Sequence, residues 1–208
     1  MSERGERPFP IRLAKPAVFL LALLPALLLL HDALYGAIAA NPYRPLVRET
    51  GYWSLRFLVV GLSLTPLSAL LGLGWLGAFR RMIGLYAAFY ALLHLVVWAM
   101  DYDFDWGFLA GEVVERAYLA VGLVAAVLLV PLASTSTKGW VKRLGGRSWR
   151  ALHRLVYPAA VLAWLHYELV GRLYQPELYV TALALALALA WRGWRAGFRW
   201  QRAETVLR

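Results

Sequence analysis

The sequence predicts an all-α fold, a polytopic membrane bundle of six transmembrane helices with both termini in the cytoplasm. Hydrophobic residues make up 61% of the 208 positions and charged residues only 16%, whereas soluble domains usually contain about 45–50% apolar and about 25% charged residues. Apolar runs alternate with short polar stretches, as they do in small helical membrane proteins. The third observation is that basic residues gather in every second polar stretch, which indicates the orientation.

Each apolar run predicts one helix, and together the runs define a transmembrane domain over residues 17–191. The first run follows basic residues and precedes small ones, as in a secretory signal peptide. We interpret it as an uncleaved helix because the rest of the chain is itself polytopic. The last run alternates Leu and Ala, but both favour helices, and a lone strand would leave its backbone unpaired in lipid. In order, the runs are Ala17–Leu30, Trp53–Leu71, Met82–Met100, Ala117–Leu132, Leu155–Val170 and Leu178–Trp191.

The distribution of Lys and Arg predicts a cytoplasmic segment at residues 1–16 and a basic cytoplasmic tail at 192–208. With the N-terminus inside, 17 basic residues lie inside and four outside, while acidic residues cluster in the outside stretch DYDFDWG. This asymmetry follows the positive-inside rule. It explains the net charge of +10 without nucleic acid as a partner. The inside residues are Arg4, Arg7, Arg12, Lys15, Arg80, Arg81, Lys138, Lys142, Arg143, Arg147, Arg150, Arg154, Arg192, Arg195, Arg199, Arg202 and Arg208; the outside residues are Arg44, Arg48, Arg116 and Arg172.

The chain contains no cysteine. This excludes disulfides, iron–sulfur ligation, CxxCH haem attachment and thiol catalysis. The polar stretches are too short for a soluble catalytic domain, so we expect the function to lie within or at the membrane. Ionisable side chains inside a bilayer are costly and often functional, and the histidines are therefore the first candidates.

Two histidines are placed at the same depth on parallel helices. His94 lies about 13 residues after the third helix begins at Arg81, and His166 lies 13 residues after His153, which opens the fifth helix. At 1.5 Å per residue both lie roughly 20 Å from the cytoplasmic edge. Two imidazoles that face each other between helices are what a bis-histidine b-type haem requires. The alternative is an ordinary polar contact between helices or with interfacial water.

His153 is the candidate for an inner site, at the depth of Arg80. On an ideal helix His153 and His166 are about 140° apart in azimuth, and only rewinding at Pro158 would reduce that angle. Arg80 lies about 40° from the face of His94. Arginine is a poor iron ligand. Arg80 is therefore either a snorkelling anchor or a residue beside an inner haem, as an unusual axial partner or on its propionates.

Two further polar residues lie near the outer ends of predicted helices. Arg56, in the second run, either pairs with a propionate of the outer haem or snorkels to the outer interface. His31, beside Asp32, has no partner at matching depth, and we expect it at the interface.

Four segments in fixed order give the chain a family resemblance. They are TGYWSLRFLVVGLSLTPL, RRMIGLYAAFYALLHL, LASTS and WRALHRLVYPAAVLAWLHY. From about residue 45 to 190, the sequence resembles the MsrQ (YedZ) family, the haem-binding membrane subunits of the bacterial periplasmic methionine sulfoxide reductase system. This family belongs to the ferric-reductase-like transmembrane group, which includes NADPH oxidases.

The resemblance implies a b-type cytochrome of the inner membrane that relays electrons from the quinone pool on the cytoplasmic side. Their acceptor would be a periplasmic molybdopterin reductase that returns methionine sulfoxide to methionine. The chain would then be an electron-transfer subunit rather than the catalytic subunit. The resemblance places the haem ligands at His94, His153 and His166, with Arg80 where four-histidine relatives have their fourth ligand. One or two b haems are thus implied.

The resemblance also implies FMN, although no motif identifies its pocket. We expect it on the cytoplasmic side near Trp140, Trp149 and the arginines, which equally suit membrane-surface anchors. Two functions of other classes remain as alternatives. One is a haem-free transporter or channel subunit in which the histidines relay protons; the other is a membrane anchor that docks a periplasmic partner through the acidic 101–116 loop.

Overall fold

A computed structural model of the chain describes residues 11–36, 42–170 and 176–206, with side chains of the last helix described as far as Arg195. The start of the predicted N-terminal segment, the end of the predicted tail and Arg172 lie outside the described residues. The described part is helical, without strands, which confirms the all-α prediction. Its helices are α1 (Ile11–Tyr35), α2 (Tyr43–Leu70), α3 (Arg80–Met100), α4 (Trp106–Glu115), α5 (Ala117–Ser134), α6 (Lys138–Leu152), α7 (Val156–Val170) and α8 (Pro176–Val206), with 3₁₀ helices at Gly74–Phe79 and His153–Leu155.

Four of the described helices are long and apolar enough to cross a membrane: α1, α2, α3 with its preceding 3₁₀ turn, and α5. They contain the first four predicted runs, except that Leu71, the last residue of the second run, is the C-cap of α2. The fifth run, apart from Leu155 in the preceding 3₁₀ turn, lies in α7, which has 15 residues. The sixth run lies in α8, which has 31. The count of six spans therefore stays a prediction. α2 begins at Tyr43, well before its predicted run, because its first turns carry the charged and aromatic residues of a polar helix end.

The acidic stretch 101–116, expected as a loop, contains α4. The side chain of Asp105 caps this helix by accepting a hydrogen bond of 3.0 Å from the backbone N–H of Phe108. Arg116 pairs with Glu112 at 2.8 Å, one turn apart. Local capping thus makes this connection a structured element.

Tyrosine hydroxyls attach α1 to α3. Tyr90 has no exposed surface; its hydroxyl accepts from the backbone N–H of Ala26 and donates to the carbonyl of Ala22, both at 2.9 Å. The hydroxyl of Tyr86, one turn earlier, donates to the carbonyl of Phe19 at 2.8 Å. These bonds satisfy the buried phenols and attach α1 to α3.

Arg192 attaches α8 to α2. Proline has no N–H, so Pro66 leaves the carbonyl of Leu62 without its helical donor. The guanidinium of Arg192 donates to that carbonyl at 2.6 Å and to the Thr65 hydroxyl at 3.1 Å, and it also binds the carbonyl of Ala188 at 2.6 Å. The predicted tail is helical as far as Val206. Arg192, its first arginine, belongs to the bundle through these hydrogen bonds.

α6 is an amphipathic helix without buried residues. It bends at Gly145, whose φ of 74° lies in the left-handed region that glycine tolerates best. The chain then passes through the 3₁₀ turn that contains His153 into α7. Pro158 lies in the first turn of α7, where a missing N–H costs no helical bond. His153 and His166 are therefore not on one continuous α-helix, in contrast to the sequence-based prediction.

Candidate functional site

His94 on α3 and His166 on α7 face each other across the bundle. Their ring centroids are 6.1 Å apart, and the ring planes are inclined by 77°. α3 packs mainly against α2, and α7 mainly against α5. The structure thus brings together, between two helix pairs, the two histidines that matching depth predicted as partners.

Each imidazole is anchored by a backbone carbonyl of the neighbouring helix. Nδ1 of His94 lies 2.7 Å from the carbonyl oxygen of Val47 on α2, and Nδ1 of His166 lies 2.7 Å from that of Tyr118 on α5. A carbonyl oxygen can only accept, so each Nδ1 carries the hydrogen and each Nε2 keeps its lone pair. This is the arrangement in which a metal-binding histidine is usually held.

The two imidazoles line a cavity of about 460 Å³ that lies mainly between α2, α3, α5 and α7. Its volume is within the range of roughly 300–1,000 Å³ typical of ligand sites. The inner wall is apolar, and the polar residues gather at the end where α2 and α5 begin and α3 ends. The apolar part includes Leu55, Ala91, Leu95, Ala125, Ala126, Leu129 and Ala163; the polar end includes Arg44, Arg48, Asp101, Tyr102 and Tyr118.

The cavity fits a haem in its donor set and spacing. A metal held between two imidazoles by bonds of about 2.0 Å, with each ring nitrogen's distance from its ring centre added, would separate the ring centroids by roughly 6 Å. The observed separation is 6.1 Å. In the described part of the chain no group of three or more His, Cys, Asp or Glu side chains could hold a bare metal ion. Two imidazoles in an apolar slot suit an iron whose remaining ligands belong to a porphyrin.

The cations at the cavity are Arg44 and Arg48, one turn apart on α2. Arg48 also pairs with Glu49 at 3.1 Å. Arg56, which the sequence suggested as a propionate partner, is two turns further along; its guanidinium lies over the ring of Tyr52 at 3.8 Å and does not contribute to the cavity lining. Sequence reasoning missed Arg44 and Arg48 because it began this helix at Trp53.

His153 lies apart from this pair, in a small polar cluster with Thr135 and Trp149. Its Nε2 is 3.2 Å from the Thr135 hydroxyl, and its ring stacks on Trp149 at a centroid distance of 3.9 Å. Burial lowers the pKa of His153, which favours the neutral ring. Arg80 is exposed at the start of α3, and no hydrogen bond or ring contact joins it to His153 in the residues described. His31 is exposed beside Asp32, as expected.

Comparison with known proteins gives consistent matches. Residues 50–164 match the family described as ferric reductase like transmembrane component. A relative from Rhodospirillum rubrum is 46% identical over 86% of this chain and 87% of its own length. Relatives from Ralstonia nicotianae and Herminiimonas arsenicoxydans are 41% and 42% identical over 91% and 94% of this chain and 92% and 89% of their own. All three are named protein-methionine-sulfoxide reductase heme-binding subunit MsrQ.

Proposed function

This chain belongs to the MsrQ family of ferric-reductase-like membrane subunits, and we propose that it is a b-type cytochrome subunit that relays electrons across the inner membrane to a periplasmic methionine sulfoxide reductase. The observation that carries the proposal is the pair His94 and His166, 6.1 Å apart, with both Nδ1 atoms bound to backbone carbonyls. The relatives' names include heme binding and the methionine sulfoxide reductase system, which supports the same reading.

The residues of the cavity would each do one thing for the bound group. The haem, when bound, supplies a one-electron ferric–ferrous couple. His94 and His166 would each offer the group an imidazole Nε2, and the carbonyls of Val47 and Tyr118 hold the rings and would increase the electron donation of each nitrogen. The apolar wall would lower the local dielectric around the group, and this would tune its redox potential together with the two imidazoles. Arg44 and Arg48 at the polar end are placed to neutralise carboxylates.

We propose that His153 marks a second, inner site. A single site at the outer depth leaves a long gap to any donor on the cytoplasmic side, and an inner haem, FMN or a quinone would have to bridge it. Thr135 and Trp149 hold the His153 ring through contacts that a ligand role would rearrange. Arg80, exposed nearby in depth, is the candidate for propionate contact or for an unusual axial role.

The proposed topology has six transmembrane helices with both termini cytoplasmic, so that residues 1–16 and 192–208 lie inside. This places the polar end of the cavity, with Arg44 and Arg48, on the periplasmic side. The partner there is proposed to be the molybdopterin-containing catalytic subunit, and electrons are proposed to enter from the quinone pool. α6, amphipathic and exposed, then lies at the cytoplasmic interface, as basic helices with Trp do.

The experiment is a reduced-minus-oxidised spectrum of the purified full chain. We expect a b-type band, and we expect membranes that contain the chain and its catalytic partner to oxidise quinol when methionine sulfoxide is added. A purified, monodisperse chain without any b-type band would contradict the proposal. It would favour the proton relay or the membrane anchor instead.

A further inference from the structure

The two helix pairs that hold the histidines repeat one local arrangement. On α2 the anchoring carbonyl belongs to Val47, and four residues later comes Gly51. On α5 the anchoring carbonyl belongs to Tyr118, and four residues later comes Gly122. Residues four apart lie on one face of a helix. Each imidazole therefore packs against the face of its neighbouring helix where the residue is glycine and has no side chain.

The space beside both rings is too small for any side chain. A Cβ built on Gly51 would lie 2.9 Å from both Cε1 and Nδ1 of His94. A Cβ on Gly122 would lie 2.6 Å from Nδ1, 2.8 Å from Cε1 and 2.9 Å from Cγ of His166. Carbon atoms in contact are optimally about 3.5–4.0 Å apart. The ring cannot move away from the glycine without losing a hydrogen bond, because its Nδ1 is bonded to a carbonyl on the same face of that helix.

We propose that Gly51 and Gly122 are positioning residues that set the rotation of the two imidazoles and hence the 77° angle between their planes. The inference rests on the proposed haem site between these rings. An added methyl group at either glycine displaces the ring, lengthens or breaks the bond from Nδ1 to the carbonyl, and turns the ring plane. Both glycines also line the cavity, but the atoms nearest to an added Cβ belong to His94 and His166, so we expect the glycines to act through the histidines.

The angle between ligand planes has a spectroscopic signature. In low-spin ferric haem the π orbitals of each imidazole split the iron d orbitals along the direction of its plane. Nearly perpendicular planes cancel much of this splitting and give a highly anisotropic electron paramagnetic resonance signal with one large g value, whereas parallel planes give a rhombic signal. Loss of the Nδ1 hydrogen bond also makes the nitrogen a weaker donor, which moves the midpoint potential to more positive values.

The chain provides matched controls for the two substitutions. A Cβ on Gly84 of α3 has nothing within 4 Å, and one on Gly61 of α2 lies 3.4 Å from Cγ2 of Ile83, an ordinary contact. Within a helix alanine is intrinsically favoured over glycine, so the controls G61A and G84A should fold at least as well as the wild type. Any effect confined to positions 51 and 122 then arises at the cavity that both glycines line, and not from replacing a helical glycine in general.

The test compares the full-length chain with G51A, G122A, G61A and G84A by haem content, the low-temperature ferric resonance spectrum and the midpoint potential. We expect a large-g signal in the wild type and in both controls, and in G51A and G122A either a shift to a rhombic signal with a raised potential or loss of haem. An unchanged spectrum, potential and haem content in G51A and G122A would overturn the inference while the b-type band of the wild type still supports the proposed function. Absence of that band in the wild type would instead contradict the proposed function.

A second pair of variants covers loss of folding. If G51A does not yield a monodisperse protein, the double variant G51A/H94A removes the ring that the methyl group meets. Recovery of monodisperse protein in the double variant would show that the clash is with His94 and would support the inference. Failure of both, with H94A alone folded, would place the requirement for glycine elsewhere and overturn it. The pair G122A and G122A/H166A gives the same decision for α5.

Discussion

The hydrogen bond from Arg192 to the carbonyl of Leu62 on α2 predicts a measurable coupling energy between Arg192 and Pro66. The perturbation is Arg192→Met, which keeps an unbranched side chain of similar length and removes every donor. In the wild type the guanidinium satisfies the Leu62 carbonyl that Pro66 leaves without a partner, at 2.6 Å. A buried polar group left without a partner costs about 1–3 kcal/mol. We expect R192M to lower the free energy of unfolding by about 2 kcal/mol, because the bond to Ala188 at 2.6 Å is lost as well.

The double-mutant cycle with Pro66→Ala isolates the contribution of the carbonyl. Alanine at 66 restores a backbone N–H that can donate to Leu62, so the same arginine substitution should then cost about 1 kcal/mol less. Coupling energies between hydrogen-bonded groups in membrane proteins average about 0.6 kcal/mol and reach about 1.7 kcal/mol, so the expected value lies inside the measured range. The coupling should be on the high side because a charged donor is involved.

The assay is reversible unfolding of the purified chain in mixed micelles, followed by far-ultraviolet circular dichroism. Arg195→Met is the control on the same helix, because Arg195 is exposed and stacks over Trp191 at 5.8 Å; it should change stability by about 0.5 kcal/mol. If the effects of P66A and R192M simply add, the carbonyl freed by proline does not depend on the arginine, and the reasoning is refuted.

Three further predictions concern the site and its orientation. Arg48→Gln should weaken haem retention about 5-fold, since an exposed charge pair contributes about 1 kcal/mol at most. Arg56→Gln should leave retention unchanged. The rate of haem transfer to apomyoglobin measures both variants, and equal rates would contradict a role of Arg48 at the site. With an inner haem at His153, His153→Ala should reduce haem from two per chain to one, by pyridine haemochrome assay, and leave the signal of the His94–His166 site in place. An unchanged ratio would contradict an inner haem held by His153. Because the chain has no cysteine, single cysteines at Gly111 and Gly139 can be labelled with an impermeant maleimide in intact cells. We expect labelling at 111 and none at 139, and the reverse would contradict the topology.

The sequence predicted the central pair because depth in a membrane helix follows from counting. The 1.5 Å rise per residue makes equal offsets from the helix entries at Arg81 and His153 equal in depth. The true helix starts differ slightly, since α3 begins at Arg80 and a 3₁₀ turn carries His153, but the errors are small on both helices. The depths predicted for His94 and His166 therefore match closely enough that the two rings are neighbours in the structure.

The sequence did not predict which helix faces carry the histidines, or which residues contact their rings. The ideal rotation between His153 and His166 assumed one continuous α-helix, and the 3₁₀ turn removes that premise. Gly51 and Gly122 carry no signal of their own, because a glycine acquires its role only from the ring that a different helix places against it. The one available clue was the spacing of four between Val47 and Gly51 and between Tyr118 and Gly122, which has meaning only once the helix pairs are known.

Arg44 and Arg48 were missed as cavity residues because the apolar run that predicted the second helix begins after them. Hydropathy began the second helix at Trp53, so Arg44 and Arg48 were assigned to a connection. A helix end in the interface tolerates arginine, because its long side chain reaches water, and α2 continues to Tyr43. The residues nearest the polar end of the cavity were for this reason counted only as outside charges.

The haem content of ligand variants tests the central claim most directly. The comparison is the purified wild type with H94A, H166A and H31A, the last a control because His31 is exposed and outside the cavity. We expect H31A to retain the haem-to-protein ratio and the ferric signal of the wild type, and H94A and H166A each to lose that low-spin signal together with the haem of this site. A full haem content and an unchanged spectrum in either H94A or H166A would contradict the account.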